Sequence, residues 1–192
     1  MSRKRRFTLI LVLMLLLLSV VGMAKAGWIL YTGGPYRGQV LDAETRQPLE
    51  GVVVLFHWDH SVFGGPGGPK SRFLKAVEVL TDKGGRFYVP WFVGISPNPF
   101  SVVRWGPGLT IFYPGYRPER AEVTPPGGEP FRDPSVVPMR KLRTREERVE
   151  RVGGLPPGGV PDEAMPNLIR LMNKERTALG LKPVHVLPGS GR

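Results

Sequence analysis

The sequence predicts a mainly β chain, a seven-stranded sandwich placed behind an N-terminal signal and ahead of a short helical extension. Three observations carry this. Short runs rich in β-branched and aromatic residues recur between Gly, Pro and Asp turns, at the spacing of a sandwich. The first 26 residues have the build of a leader. Beyond Leu142 the strand-like alternation stops and helical periodicity takes over.

In the leader, Arg3, Lys4, Arg5 and Arg6 form a positive start, and Phe7 to Val21 is almost wholly apolar. Ala24 and Ala26 then stand at the small-x-small spacing that a signal peptidase accepts. The apolar run is 15 residues long, short of the roughly 20 that cross a bilayer as a helix. Residues 1–26 are therefore read as a signal peptide, with an uncleaved anchor as the alternative, in which membrane contact is confined to residues 7–24. Either version exports the chain to the periplasm or cell surface.

The first strand is expected over Tyr36–Leu41. "DAETRQPLE" turns the chain, with Asp42 bonding its own downstream backbone and Pro48 ending the pairing. Gly51–Asp59 is a second strand. Lys75–Leu80 and "GRFYVP" follow, joined by "TDKGG", which offers a tight hairpin an Asp side-chain bond and a glycine for positive φ. Leu109–Tyr113 and Tyr116–Val123 flank Pro114-Gly115, and Val136–Leu142 closes the sheet as an edge that tolerates Pro138. Ser61–Arg72 is expected as a Gly/Pro loop and Trp91–Gly108 as a long aromatic connection. After Leu142, Thr144 is placed to cap a short charged helix, "REERVERV". "DEAMPNLIRLMNKERTALG" is a second helix, with Asp162 and Pro166 at its start and Gly180 as its stop. Met165, Leu168, Leu171, Met172 and Leu179 give it one apolar face, free either to dock on the chain's own sheet or to await a partner. The organisation is thus 1–26 leader, 36–142 sandwich, and 143–192 linker and helical tail.

Composition narrows the function. The chain has no cysteine, so an exported fold must rest on core packing without disulfides. The formal charge of +11 overstates the mature part. Five of the 27 basic residues lie in the leader, leaving 22 against 16 acidic ones. That excess lacks the clustered stripe and readout motif of a nucleic-acid binder. The 25 glycines and 21 prolines are close to the share at which disorder becomes the default, and the strand patterning is what argues for a folded middle.

The blocks "GQVLDAETRQPLEGVVV", "VEVLTDKGGRFYVP" and "GPGLTIFYPGY" occur in that order. Together they resemble the carboxypeptidase regulatory-like domain, a transthyretin-like (prealbumin-like) β-sandwich common in exported bacterial proteins. The matching positions are Gly38, Val40, Asp42, Thr45, Pro48, Leu49, Gly51 and Val52, then Thr81, Asp82, Gly85 and Phe87, then Pro114, Gly115 and Tyr116. The resemblance implies an accessory module without catalytic residues of its own, in which those positions specify the fold.

Candidate chemistry is sparse. Asp42, Glu44 and Asp82 suggest calcium, yet Asp42 and Glu44 supply two ligands at most and Asp82 is followed by Lys83, so turn formation is preferred. "FHWDH" suggests zinc through His57, Asp59 and His60. On a strand, however, residues i and i+3 face opposite sides, and only His185 in the tail remains as a third histidine. No nucleophile motif or phosphate loop is present. The candidate ligand-binding loop is Trp91, Phe92, Phe100, Arg104 and Trp105, whose rings either stack on a ligand or cover an open end of the core. The expectation is a non-enzymatic, cofactor-free binding or structural module of the cell envelope, with an envelope protein or glycan as partner and no nucleic acid. The alternatives are a metal-dependent hydrolase using His57, Asp59 and His60, or a membrane-anchored scaffold acting through its C-terminal helix.

Overall fold

A computed structural model describes residues 10–16, 30–62, 68, 70–96, 101–103, 107–119 and 135–184. Residues 10–16 are helical; among the described residues no helix is long and apolar enough to cross a membrane. The rest of the described chain is mainly β, with several sheets and a helical C-terminal part.

The strands are β1 (Leu30–Gly33), β2 (Tyr36–Asp42), β3 (Val53–Val62), β4 (Lys70–Leu80), β5 (Arg86–Val89), β6 (Phe92–Ile95), β7 (Ser101–Val103), β8 (Gly108–Phe112), β9 (Tyr116–Pro118) and β10 (Ser135–Lys141). The helices are α1 (Arg145–Gly153) and α2 (Pro166–Ala178), with a 3-10 turn over Asp162–Ala164. A strand thus stands at each of the seven expected places, but the described residues hold ten, and the strand over Ser135–Lys141 is not the expected edge, since it pairs with a strand on either side. The Trp91–Gly108 connection contributes β6 and β7, and β1 precedes the first expected strand. Part of the Ser61–Arg72 loop is also strand, since β3 runs to Val62 and β4 starts at Lys70. The part of Tyr116–Val123 from residue 120 onward lies outside the described residues.

One four-stranded sheet has the order β5-β2-β10-β9, with β10 parallel to β2 and the other pairs antiparallel. The other is built on β3. Strand β4 lies along one edge of β3, while β8 and β7 share its other edge, pairing Val53–His57 and His60–Val62 respectively. A separate antiparallel ribbon joins β1 to β6. The "TDKGG" turn differs from expectation. It does not close a hairpin within one sheet, because β4 pairs with β3 and β5 with β2. It is a corner that carries the chain from one sheet to the other.

The two sheets close on a shared core, an arrangement consistent with a β-sandwich. Val40, Phe87, Val89, Val137 and Met139 from the first sheet meet Val54, Phe56, Trp58 and Ile111 from the second. The alternate residues of β3 and β8 point the other way. Val53, Leu55 and Phe112 pack against Val152 of α1 and Leu168, Ile169, Leu171, Met172 and Leu179 at α2. Strand β3 is therefore buried on both faces, which explains why Val52 to Phe56 is a continuous apolar run rather than an alternating one. The α2 face that the sequence left open to a partner is filled by the chain's own sheet.

Polar contacts hold the helices in place. Thr144 caps α1 through a capping box with Glu147. Met165, at the N-cap of α2, offers no side-chain cap. Glu78 of β4 takes that role from across the interface: its carboxylate accepts from the Asn167 N–H at 2.9 Å and the Leu168 N–H at 2.7 Å. Pro166 carries no N–H and the Met165 N–H bonds the Asp162 carbonyl. The two Glu78 bonds therefore satisfy the remaining donors of the helix end, and a carboxylate sits at the positive end of the dipole. Glu175, buried within α2, binds Arg148 of α1 by two bonds of 2.7 and 2.9 Å and accepts from the Gly115 N–H at 3.2 Å.

Two outcomes test this packing. Glu78→Ala should cost about 1–2 kcal/mol, the usual loss for a helix cap, read as a lower urea midpoint; an unchanged midpoint would remove the cap from the account. Leu55→Ala should cost about 2–5 kcal/mol by opening a cavity beneath α2, and a cost below that of a surface substitution would contradict burial on the helix side.

Candidate functional site

Polar residues of the three sequence blocks converge on one end of the β2–β5 pair, where Asp42, Thr81 and Asp82 hold backbone and Tyr116 holds Asp42. Asp42 Oδ1 accepts from the N–H groups of Glu44 and Thr45, both at 2.8 Å, and Oδ2 accepts from the Tyr116 hydroxyl at 3.0 Å. Thr81, buried, donates to the Leu49 carbonyl at 2.6 Å and accepts from the Val52 N–H at 2.9 Å, tying the loop after β2 to the end of β4. Asp82 Oδ1 accepts from Gly84 and Arg86, each at 2.8 Å, and so shapes the corner between the sheets. At Gly85 φ is +69° and its carbonyl accepts from Val40 at 2.7 Å. A Cβ there would be driven into the Val40 carbonyl oxygen, so glycine is required on both counts.

The Asp42 carboxyl is held below the usual carboxylate range, chiefly by the Thr45 N–H. Burial opposes this, and the Glu44 N–H and Tyr116 hydroxyl add to it. The Tyr116 hydroxyl is pushed up by burial and by Asp42. This is a carboxylate committed to a turn. Among the described residues, no group of three or more His, Asp or Glu side chains is placed to hold a metal ion.

The "FHWDH" stretch lies within β3, where the register against β4 shifts between Trp58 and Asp59, Leu74 of β4 being the extra residue. His57 Nε2 is 4.0 Å from Asp59 Oδ2, so those two share a face as alternation predicts. His60 goes elsewhere: it is buried, with Nδ1 3.5 Å from Ser96 Oγ. The trio is not assembled. The His57 ring instead covers Gly108 of β8 so closely that a Cβ on Gly108 would strike the imidazole. His185 lies outside the described residues.

Of the aromatic loop, Phe100, Arg104 and Trp105 lie outside the described residues. Phe92 and Trp91 diverge. Phe92 is packed edge-on against Trp58, with centroids 4.9 Å apart, and against Tyr31 at 6.1 Å, while Lys75 Nζ sits 3.9 Å above its ring. Trp91 is 59% exposed. The β1–β6 ribbon explains the difference. Its inner face, Tyr31, Gly33, Phe92 and Gly94, is packed so tightly that a Cβ on either glycine would overlap an aromatic ring. Its outer face carries Leu30 beside Ile95 and Thr32 beside Val93. Val93 is 48% exposed and Ile95 71%. The result is a rigidly backed apolar strip with a tryptophan at its end. A period-2 pattern, Trp91, Val93 and Ile95 against Phe92 and Gly94, was the sequence signal for it.

A second open surface is the outer face of the first sheet. Tyr88 of β5 projects there with the Arg37 guanidinium 5.4 Å from its ring centroid. Gln39, Arg86 and Val136 line the same shallow groove. No protein-family model, curated protein or solved structure matches this chain.

The Asp42 bonds give a pH dependence with a definite sign. A carboxyl whose folded pKa is depressed stabilises the fold above its unfolded value, about 3.9, and that contribution disappears as pH falls through the lower, folded value. Asp42→Asn should therefore weaken the protein at neutral pH and flatten the acid limb of its stability curve. Calcium should leave the thermal midpoint of the parent protein unchanged; a rise on adding calcium would contradict a purely architectural turn.

Proposed function

We propose that this chain is an exported, non-catalytic module of the cell envelope, built on a transthyretin-like sandwich of the carboxypeptidase regulatory-like type. One observation supports it above the others. Most acids that a catalytic or metal reading would recruit are engaged in holding backbone, while the outer face of the ribbon exposes Leu30, Val93 and Ile95 with one polar residue, Thr32. Asp42, Thr81 and Asp82 brace turns, and Glu78 and Glu175 brace helices. Trp91, Val93 and Ile95 face outward. The module is a stiff scaffold, and its contact surface with envelope material is the β1–β6 ribbon.

Export follows from the leader, in which a positive start precedes an apolar core. In a bacterial host, the parent chain should fractionate outside the cytoplasm and be cleaved by protease added to spheroplasts. Leu13→Arg combined with Leu15→Arg should hold it in the cytoplasm. Cytoplasmic retention of the parent chain itself would defeat the proposal.

A further inference from the structure

We propose that the outer face of the β1–β6 ribbon is a membrane-contact surface that rests on an anionic lipid bilayer. This rests on the proposed export to the envelope and names the partner of the ribbon. It adds a contact beyond the leader, to which membrane contact was confined on sequence grounds.

Three observations carry it. The strip is chemically suited to an interface: Leu30, Val93 and Ile95 offer aliphatic surface, and Trp91 brings an amphipathic ring of the kind enriched where hydrocarbon meets headgroups. It is backed rigidly by Phe92 on Trp58, so no ordering is required before contact.

The second observation is charge. All 16 acidic residues lie within 42–59, 78–86 and 119–175, leaving 1–41, 60–77 and 87–118 with no Asp or Glu. The ribbon is built from two of those acid-free stretches, β1 from the first and β6 from the third. The second stretch supplies the start of β4, where Lys70 and Arg72 are exposed and Lys75 sits over Phe92. Arg72 is in register with His60, whose ring meets Ser96 at the end of β6. The apolar strip is thus flanked by cations from a part of the chain devoid of carboxylates. Asp59, beside His60 in β3, shares the opposite face with His57, and an anionic lipid surface attracts the cations on the ribbon side.

The third is position. Strand β1 begins at Leu30, nine residues beyond Val21, where the apolar stretch ends. Among the described residues, β1 of the ribbon is the first strand to follow the leader in the chain. The loop at Asp42–Pro48 lies at the far end of β2.

The absence of cysteine makes the test clean, because any cysteine introduced is the single thiol in the chain. Full-length protein carrying Leu30→Cys, Val93→Cys, Ile95→Cys or Gln47→Cys is labelled with a polarity-sensitive fluorophore. Each is then incorporated into vesicles of phosphatidylcholine with phosphatidylglycerol, with and without headgroup-region spin-labelled lipid. The leader alone can hold the chain on a vesicle, so the readout is local to each label. The expected result is a shift to shorter wavelength and lipid-dependent quenching at positions 30, 93 and 95, weaker in phosphatidylcholine alone, with neither effect at position 47.

No shift at the three ribbon positions on vesicles that carry the protein overturns the inference while leaving export untouched. Equal quenching at position 47 overturns it too, by showing contact without a preferred face. So does shielding of the ribbon labels before lipid is added, which would assign the strip to a second copy of the chain. Using three independent positions keeps the outcome decisive if one substitution disturbs folding.

Discussion

Strand β3 must be enclosed on four sides, and the rest of the molecule follows from that requirement. Its edges are taken by β4 on one side and by β8 and β7 on the other. One face meets the core of the opposing sheet through Val54, Phe56 and Trp58. The other face, Val53 and Leu55, would lie open in a two-layer sandwich. Fully burying a side chain of this size is worth about 1.5–3 kcal/mol, and an exposed row of them is also an aggregation hazard. The C-terminal helices supply the missing layer, so residues 145–179 belong to the folding unit rather than trailing from it.

A chain without disulfides must fix such a layer by other means, and here carboxylates do it. Glu78 reaches from β4 to the start of α2, and Glu175 reaches from α2 to α1 and to the turn before β9. Asp42 and Asp82 do the same for the loops that join the sheets. Each accepts backbone N–H groups, and the charge strengthens those bonds relative to neutral ones. These four acids lie on the helical side and at the loop corners. Lys70, Arg72 and Lys75 stand on the ribbon side, so the placement of charge that serves the packing also suits the proposed surface.

What the sequence made legible was local. The Asp42 turn, the glycine of the Asp82 corner, the Thr144 capping box and the Pro166 start of α2 are each decided within a few residues. What it concealed was long-range. "TDKGG" carries hairpin chemistry whether its flanking strands pair with each other or part to different sheets, and only the competing partners β3 and β2 decide that. Glu78 looks like one more polar residue on a half-buried strand; its role as a cap depends on a helix almost 90 positions away. The separation of His57 from His60 was legible from strand alternation, although the extra residue Leu74 in the facing strand β4 was not. The ribbon was missed because Pro90, Gly94 and Pro97 punctuate the stretch, and turn signals outweighed a short alternation.

The central claim is that sheets and helices form one cooperative unit around β3. Native-state hydrogen exchange of the full chain at rising urea measures this directly, because amides that share one opening reaction converge on a single free energy. The account predicts that the amides of Val53–Trp58 and those of Leu168–Glu175 merge into the same global unfolding. Exchange of the α2 amides through a separate, lower-energy opening, with β3 still protected, would contradict it.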